Sequence, residues 1–234
     1  MSWKAPSEVT LIRHGESLYN TLIKVKGMLK NEEMKERLRG YSDMAVPLTY
    51  DGRWQAKKSG QKIIDDIGRP DCIFHSGYLR AEQAAQGLLT HLSPAAKERI
   101  KVEHTFELRE RDAGICWFMT VAETEKYLPW YQEYYDRVPQ FFFRPPGGES
   151  IAEMVDKRLR NVIETVFTDC RGKKVWLVCH GQTIKGLRVL IERMNLMEID
   201  EMCRVDVPLL SLTRYVYQCS RDVPERTHLY RIYA

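Results

Sequence analysis

The sequence predicts an α/β fold, a three-layer αβα sandwich with a mainly parallel central sheet. Three observations carry that expectation. Short apolar runs at residues 9–12, 71–74 and 174–178 read as buried parallel strands. Each is followed at once by a polar or glycine-containing turn and then by a helical pattern. Strands and helices that alternate in this way build a mainly parallel sheet with helices packed on it.

The elements follow in chain order. The first run closes on Arg13-His14-Gly15-Glu16-Ser17. A helix is signalled from Thr49 onward, where Pro47-Leu48-Thr49 precedes Asp51-Gly52, Trp54-Gln55-Ala56 and then Ile63 and Ile64. The second run leads into His75-Ser76-Gly77 and a helix carrying Arg80. Residues 150–167 hold Ile151, Met154, Val155, Leu159, Val162, Ile163 and Val166 near a 3.6-residue period, which predicts an amphipathic helix. The third run ends in Val178-Cys179-His180-Gly181-Gln182-Thr183, again strand, His-Gly and helix start. Final strands around 209–216 and 228–232 suit either a sheet edge or a dimer contact. Two segments break the rhythm and read as insertions over one end of the sheet. Residues 21–39 are rich in lysine, arginine and glutamate. Residues 117–146 carry Tyr127, Trp130, Tyr131, Tyr134, Tyr135 and Val138 before Phe141-Phe142-Phe143 and a Pro-Pro-Gly-Gly turn.

Bulk properties narrow the class. A chain of 234 residues suits a single domain over 1–234 with a sizeable core. The formal net charge of +4 suits an anionic small-molecule substrate and is too weak and dispersed to argue for nucleic acid. No apolar run approaches a membrane span, and the first residues lack the apolar stretch of a signal peptide. The 6 cysteines form no C-x-x-C pair, so reduced thiols in a cytoplasmic protein are expected.

The chemistry gathers at the strand ends, where open α/β sheets bind ligands. Arg13 offers a planar fork of donors for phosphate oxygens. Gly15 admits a ligand close to the backbone. His14 is a nitrogen nucleophile that is neutral near pH 7. Alone, Arg-His-Gly is a short motif with many accidental matches. The second His-Gly, His180-Gly181, changes the weighing, because two such turns at the ends of two buried strands bring two imidazoles to one edge. The helix start after Gly181 also favours an anion, and Arg80 adds a second guanidinium. Cys179 reads as a small buried residue rather than a reactive thiol. A leaving oxygen needs a proton, and Glu107, Glu110 and Asp112 all qualify on chemistry alone.

In these blocks the chain resembles the histidine phosphatase superfamily, the phosphoglycerate-mutase-like group. The resemblance runs in order through Arg13-His14-Gly15-Glu16-Ser17 with Asn20; Gly40-Tyr41 with Asp43 and Pro47-Leu48-Thr49; Ser76 with Arg80-Ala81 and Gln83; Leu108-Arg109-Glu110; Gly148-Glu149-Ser150; and His180-Gly181. It implies that His14 becomes phosphorylated. It implies that Glu110 is the proton donor and that Arg13, Arg80 and His180 hold the phosphoryl oxygens. Asn20, Gly40, Arg111, Gly181 and Gln182 fall at substrate-binding positions, although Asn20 also suits a role bracing its own turn and Arg111 a pair with a neighbouring acid.

Two departures matter. Residues 21–39 are an insertion, equally suited to a mobile lid and a solvated helix. The stretch from Glu110 to Gly148 is short and lacks the paired-arginine segment of the glycolytic mutases. Its aromatic stripe suits core packing more than a ligand cage. Together with Leu108-Arg109-Glu110-Arg111-Asp112, it resembles the small mutase-like phosphatases of plants and fungi. The expected activity is therefore hydrolysis of a small phosphomonoester through phosphohistidine. Mutase-type transfer between hydroxyls is the alternative. A catalytically silent scaffold stands well behind, since His14, Glu110 and both arginines are present. The expected protein works without metal or cofactor, takes a small phosphorylated substrate, binds neither nucleic acid nor membrane, and is a monomer or homodimer.

Overall fold

The computed structural model describes residues 5–25, 28–217 and 228–230. Strand β1 (Glu8–Arg13) precedes a short helix α1 (Leu18–Leu22), a ribbon of β2 (Ile23–Val25) and β3 (Met28–Leu29), and α2 (Glu32–Leu38). Helix α3 (Tyr50–Ile67), β4 (Cys72–His75), α4 (Leu79–Leu88), α5 (Pro94–Lys97) and β5 (Lys101–His104) follow. Then come α6 (Val121–Tyr127), α7 (Tyr131–Arg137) and α8 (Ile151–Met154), which a π-helical turn (Val155–Leu159) joins to α9 (Arg160–Asp169). The described chain ends with β6 (Lys174–Cys179), α10 (Gly181–Glu192), α11 (Leu196–Arg204), β7 (Leu212–Val216) and β8 (His228–Tyr230).

The main sheet has the order β5-β4-β6-β1-β7-β8. Its first four strands are mutually parallel, while β7 runs antiparallel to β1 and β8 antiparallel to β7. This is the expected α/β architecture, with the two late strands forming one sheet edge. Side chains alternate between faces, as the pleat requires. Val9, Leu11, Val175, Leu177 and Cys179 enter one core with Val155, Leu159 and Ile184. Ile12, Trp176 and Val178 enter the other with Ile63, Ala84 and Leu88. Helices α3 and α4 thus cover one face, and α8, α9 and α10 cover the other. The central strand β6 is buried on both sides, down to Trp176 at 0% exposure.

Local signals set the helix starts. Thr49 caps α3 by accepting the Gly52 N–H at 2.9 Å. The same hydroxyl donates to the Glu16 carboxylate at 2.8 Å, so the cap also anchors the loop after His14. Ser150 and Glu153 form a reciprocal capping box at α8. The 3.6-residue period over 150–167 predicts one unbroken helix, whereas the structure inserts the π turn at Val155–Leu159. Such a turn holds one extra residue and often marks a functional site.

The two insertions pack on each other. The Leu29 N–H donates to the Met119 carbonyl at 3.0 Å, and Lys35 pairs with Glu123. Leu22, Leu29, Leu38 and Val46 form a small core covered by Trp117 and Phe118. The charged segment 21–39 is therefore tied down by its apolar residues, with its charges at the surface of α2. In the second insertion Tyr131, Tyr134 and Tyr135 all pack on the fully buried Phe143. These three tyrosines of the aromatic stripe are core packing, whereas Tyr127 and Trp130 are exposed.

Helices α3 and α4 approach closely at a glycine. A Cβ on Gly60 would stand 2.3 Å from the Leu88 carbonyl oxygen, which is backbone and cannot step aside. Gly60→Ala is expected to force the helices apart at a cost of about 2 kcal/mol. Thermal unfolding checks this, and an unchanged midpoint would count against it.

Candidate active site

The register of three parallel strands builds the site. Arg13 lies opposite Cys179 across β1 and β6, so His14 and His180 emerge side by side. The His14 N–H donates to the Cys179 carbonyl at 3.0 Å. The two rings stand 5.1 Å apart in an edge-to-face arrangement. On the other side of β6, His75 lies opposite Val178, which brings Ser76 to the same edge. Ser76 Oγ lies 2.8 Å from His180 Nε2. The turn after it needs glycine, because Gly77 has φ +75° and a Cβ there would strike the His104 ring at 2.1 Å.

Hydrogen bonds assign the imidazole protons. His14 Nδ1 lies 2.6 Å from the Gly15 carbonyl oxygen. A carbonyl only accepts, so Nδ1 carries the proton and Nε2 keeps its lone pair. Ser76 Oγ accepts the Tyr78 N–H at 3.3 Å and shares a hydrogen bond with His180 Nε2. Burial pushes the pKa of both rings well below the usual histidine value, and the Arg80 and Arg13 cations push in the same direction. His14 is thus neutral, with an unshared pair on Nε2, which is the form a nucleophile needs.

Two guanidinium groups flank the rings. Arg13 donates to the Val207 carbonyl and lies against Gly181, where a Cβ would sit only 3.5 Å from its Nε and Cζ. Arg80 is 4% exposed, is gripped by the Asp43 carboxylate at 2.9 Å, and stacks over the Tyr78 ring. Among the described residues, Arg13 Nε and His180 Nδ1 are buried nitrogens without a protein partner. Buried polar groups are nearly always paired, so an orphaned guanidinium donor at this strand edge suits an anion's oxygens. A phosphoryl group has the right charge and three such oxygens.

Glu110 follows a 3₁₀ turn at Phe106–Leu108. Its Oε1 accepts the Arg111 N–H at 2.8 Å. Its charge acts on Arg13, Tyr19 and Tyr78. Of the other sequence-predicted residues, Gly181 opens α10 beside Arg13, and Gln182 is half-buried in the same first turn. Asn20 caps α1, accepting the Ser17 N–H at 3.0 Å, so it does brace its turn. Arg111 pairs with no acid among the described residues; it donates to the Phe143 carbonyl at 3.4 Å and lies over that ring. Gly40 occupies an exposed turn at φ +87°, with nothing within 4 Å of the Cβ position.

Some contributors carry roles the motifs did not reveal. Ser76, Asp43 and Val207 orient His180, Arg80 and Arg13. Arg158 was not singled out at all, yet it holds the backbone before and at Glu110. The closest sequence signal is a buried-face position in an amphipathic helix occupied by arginine, where an apolar residue is expected.

Known proteins resemble the chain in sequence and in fold. The family described as "Histidine phosphatase superfamily (branch 1)" matches residues 9–227. The 2,3-bisphosphoglycerate-dependent phosphoglycerate mutase of Rhizobium etli is 29% identical over 230 residues, covering 95% of this chain and 97% of the relative. Its counterpart in Mycobacterium tuberculosis is 28% identical over 232 residues, covering 88% and 84%. Among solved structures, the alpha-ribazole phosphatase of Shigella flexneri superposes with a TM-score of 0.67 at 19% identity, covering 90% and 91%. A mycobacterial glucosyl-3-phosphoglycerate phosphatase does so with a TM-score of 0.66 at 21% identity, covering 96% and 97%.

The depressed histidines fix a pH dependence. With the folded value below the unfolded value of about 6.5, the unfolded chain binds more protons in the window between them. Stability is therefore unaffected above that window and falls as pH drops below about 6.5. The slope is at most about 1.4 kcal/mol per pH unit for each histidine. The melting temperature is expected to fall between pH 7.5 and 5.5, and to fall less in His14→Asn. An identical fall in both proteins would contradict the assignment.

Proposed function

The chain belongs to the histidine phosphatase superfamily (branch 1), and from that premise we propose that it is a phosphatase hydrolysing a small phosphomonoester through a phosphohistidine on His14. The observation that carries the reading is a neutral His14 with its Nε2 pair free, set 5.1 Å from a second imidazole, beside the half-buried Arg13 and the buried Arg80. In the first step Nε2 attacks phosphorus, the ester P–O bond breaks, and Glu110 gives its proton to the leaving oxygen. In the second step Glu110 takes a proton from water as that water attacks phosphorus and breaks the P–N bond. Arg13, Arg80 and His180 hold the non-bridging oxygens and stabilise the charge on them in the transition state. Gly181 and Gln182, at the α10 start, extend the anion site, and Asn20, Gly40 and Arg111 border the ester's remaining portion. The chain's own cations supply the positive charge, and no step calls on a metal or cofactor. The substrate is a small phosphorylated molecule.

Hydrolysis is favoured over mutase transfer by the short, aromatic second insertion, whose tyrosines pack on Phe143 rather than presenting a pair of cations. The mutase reading has one observation behind it, the near full-length relatives that carry that name.

Two assays separate these readings. Given a chromogenic aryl phosphate, and 3-phosphoglycerate with a bisphosphate primer, the protein is expected to release phosphate with little isomerisation. Rapid isomerisation without release makes it a mutase, and no turnover of any ester makes it a scaffold. His14→Ala is expected to abolish turnover and acid-labile labelling together; a variant that still labels removes His14 as the nucleophile. Glu110→Gln is expected to slow esters with poor leaving groups by about 100-fold or more, and to slow aryl esters far less.

A further inference from the structure

We propose that Arg158 is the positioning residue for the Glu110 carboxylate, acting through the backbone of residues 107–111. The proposal rests on the phosphatase reading and extends it to a residue that touches no reacting atom.

Arg158 lies in the π turn on its buried face and is 4% exposed. A guanidinium has five N–H donors in one plane, and here each has an acceptor. Nη1 donates to the Glu107 carbonyl and, at 2.9 Å, to the Arg109 carbonyl. Nη2 donates to the Glu110 carbonyl at 3.3 Å and to Glu149 Oε1 at 2.6 Å. Nε donates to Glu149 Oε2 at 3.3 Å. One side chain therefore grips three carbonyls of the segment that carries Glu110. Glu149 holds the other side of the fork. It also accepts the Asp112 N–H at 3.1 Å, and its own N–H donates to the Asp112 carbonyl at 3.0 Å. Thr183, in the first turn of α10 just after His180, adds a bond to the Arg109 carbonyl at 2.8 Å.

The link to the carboxylate is the peptide between residues 110 and 111. A trans peptide is planar, and its C=O and N–H point in opposite directions. Arg158 fixes the carbonyl end, so the Arg111 N–H is aimed the other way, where it holds Glu110 Oε1 at 2.8 Å. The fork sets the plane, the plane aims the N–H, and the N–H seats the carboxylate. A lysine has three donors on one point charge and cannot span three carbonyls and a carboxylate.

The test measures hydrolysis of 4-nitrophenyl phosphate, a good leaving group, and of an alkyl phosphate, a poor one. In Arg158→Lys, kcat on the alkyl ester is expected to fall on the order of 10-fold to 100-fold, with KM little changed and the aryl ester losing only about 3-fold or less. In a Glu110→Gln background the same substitution is expected to add no further discrimination between the esters. Equal losses on both esters, no loss, or full additivity with Glu110→Gln overturns the proposal while leaving the phosphatase reading intact. Absence of turnover in the unsubstituted protein overturns both. If Arg158→Lys does not accumulate folded, Glu149→Gln applies the same test from the other side of the fork, with the same pattern expected.

Discussion

The site depends on one constraint, the in-register parallel pairing of β1 with β6. That pairing sets Arg13 opposite Cys179 and leaves both following histidines at one height on one edge. A strand slipped by a single residue turns every side chain to the other face. Such a slip of β1 would turn Leu11, now at 0% exposure in one core, into the opposite core and would separate the rings. The packing of the two cores on either side of the sheet is therefore what holds the two imidazoles together. The antiparallel strand β7 locks the other side of β1, and the Ser211 carbonyl accepts the Arg13 N–H at 3.2 Å.

Burial at that edge then does chemical work. A histidine in water is divided between two charge states near neutral pH. Here desolvation and two neighbouring cations favour the neutral form, and a backbone carbonyl chooses which nitrogen keeps the proton. The arginines are held in a complementary way. Each is oriented by an acceptor of the protein, Val207 for Arg13 and Asp43 for Arg80. Orientation fixed before an anion arrives costs no reorganisation at the moment of reaction. The acidic side of the site follows the same logic, since the Glu110 loop hangs on a saturated guanidinium rather than on its own flexible turn.

The two insertions form a shared cap with its own small core. Their joint is both apolar and charged. Leu22, Leu29 and Leu38 pack beneath Trp117, and Lys35 meets Glu123 at the rim. Tyr19, in the first insertion's leading helix, stacks on Trp117 in the second at 5.9 Å. Segments that look independent along the chain thus pack together, and burial with the charges of Asp43 and Glu110 raises the Tyr19 hydroxyl's pKa.

Much of this was legible in the chain. Apolar strands ending in Arg-His-Gly and Cys-His-Gly, the Thr49 cap and the periodic helix after Ser150 are local patterns, and local patterns determine local structure. Family resemblance then singled out Glu110 from three chemically equal carboxylates. The sequence by itself determined the sheet class, the two histidines at strand ends, and the cations available to an anion. Only the tertiary structure decided which nitrogen of His14 is free, that Asn20 spends its side-chain oxygen on a cap, and that Arg158 supports the Glu110 loop. The physical reason is common to all of these. Each depends on a backbone carbonyl or N–H brought close by the fold, and every residue type carries the same backbone groups, so a sequence pattern cannot mark which of them a side chain will meet.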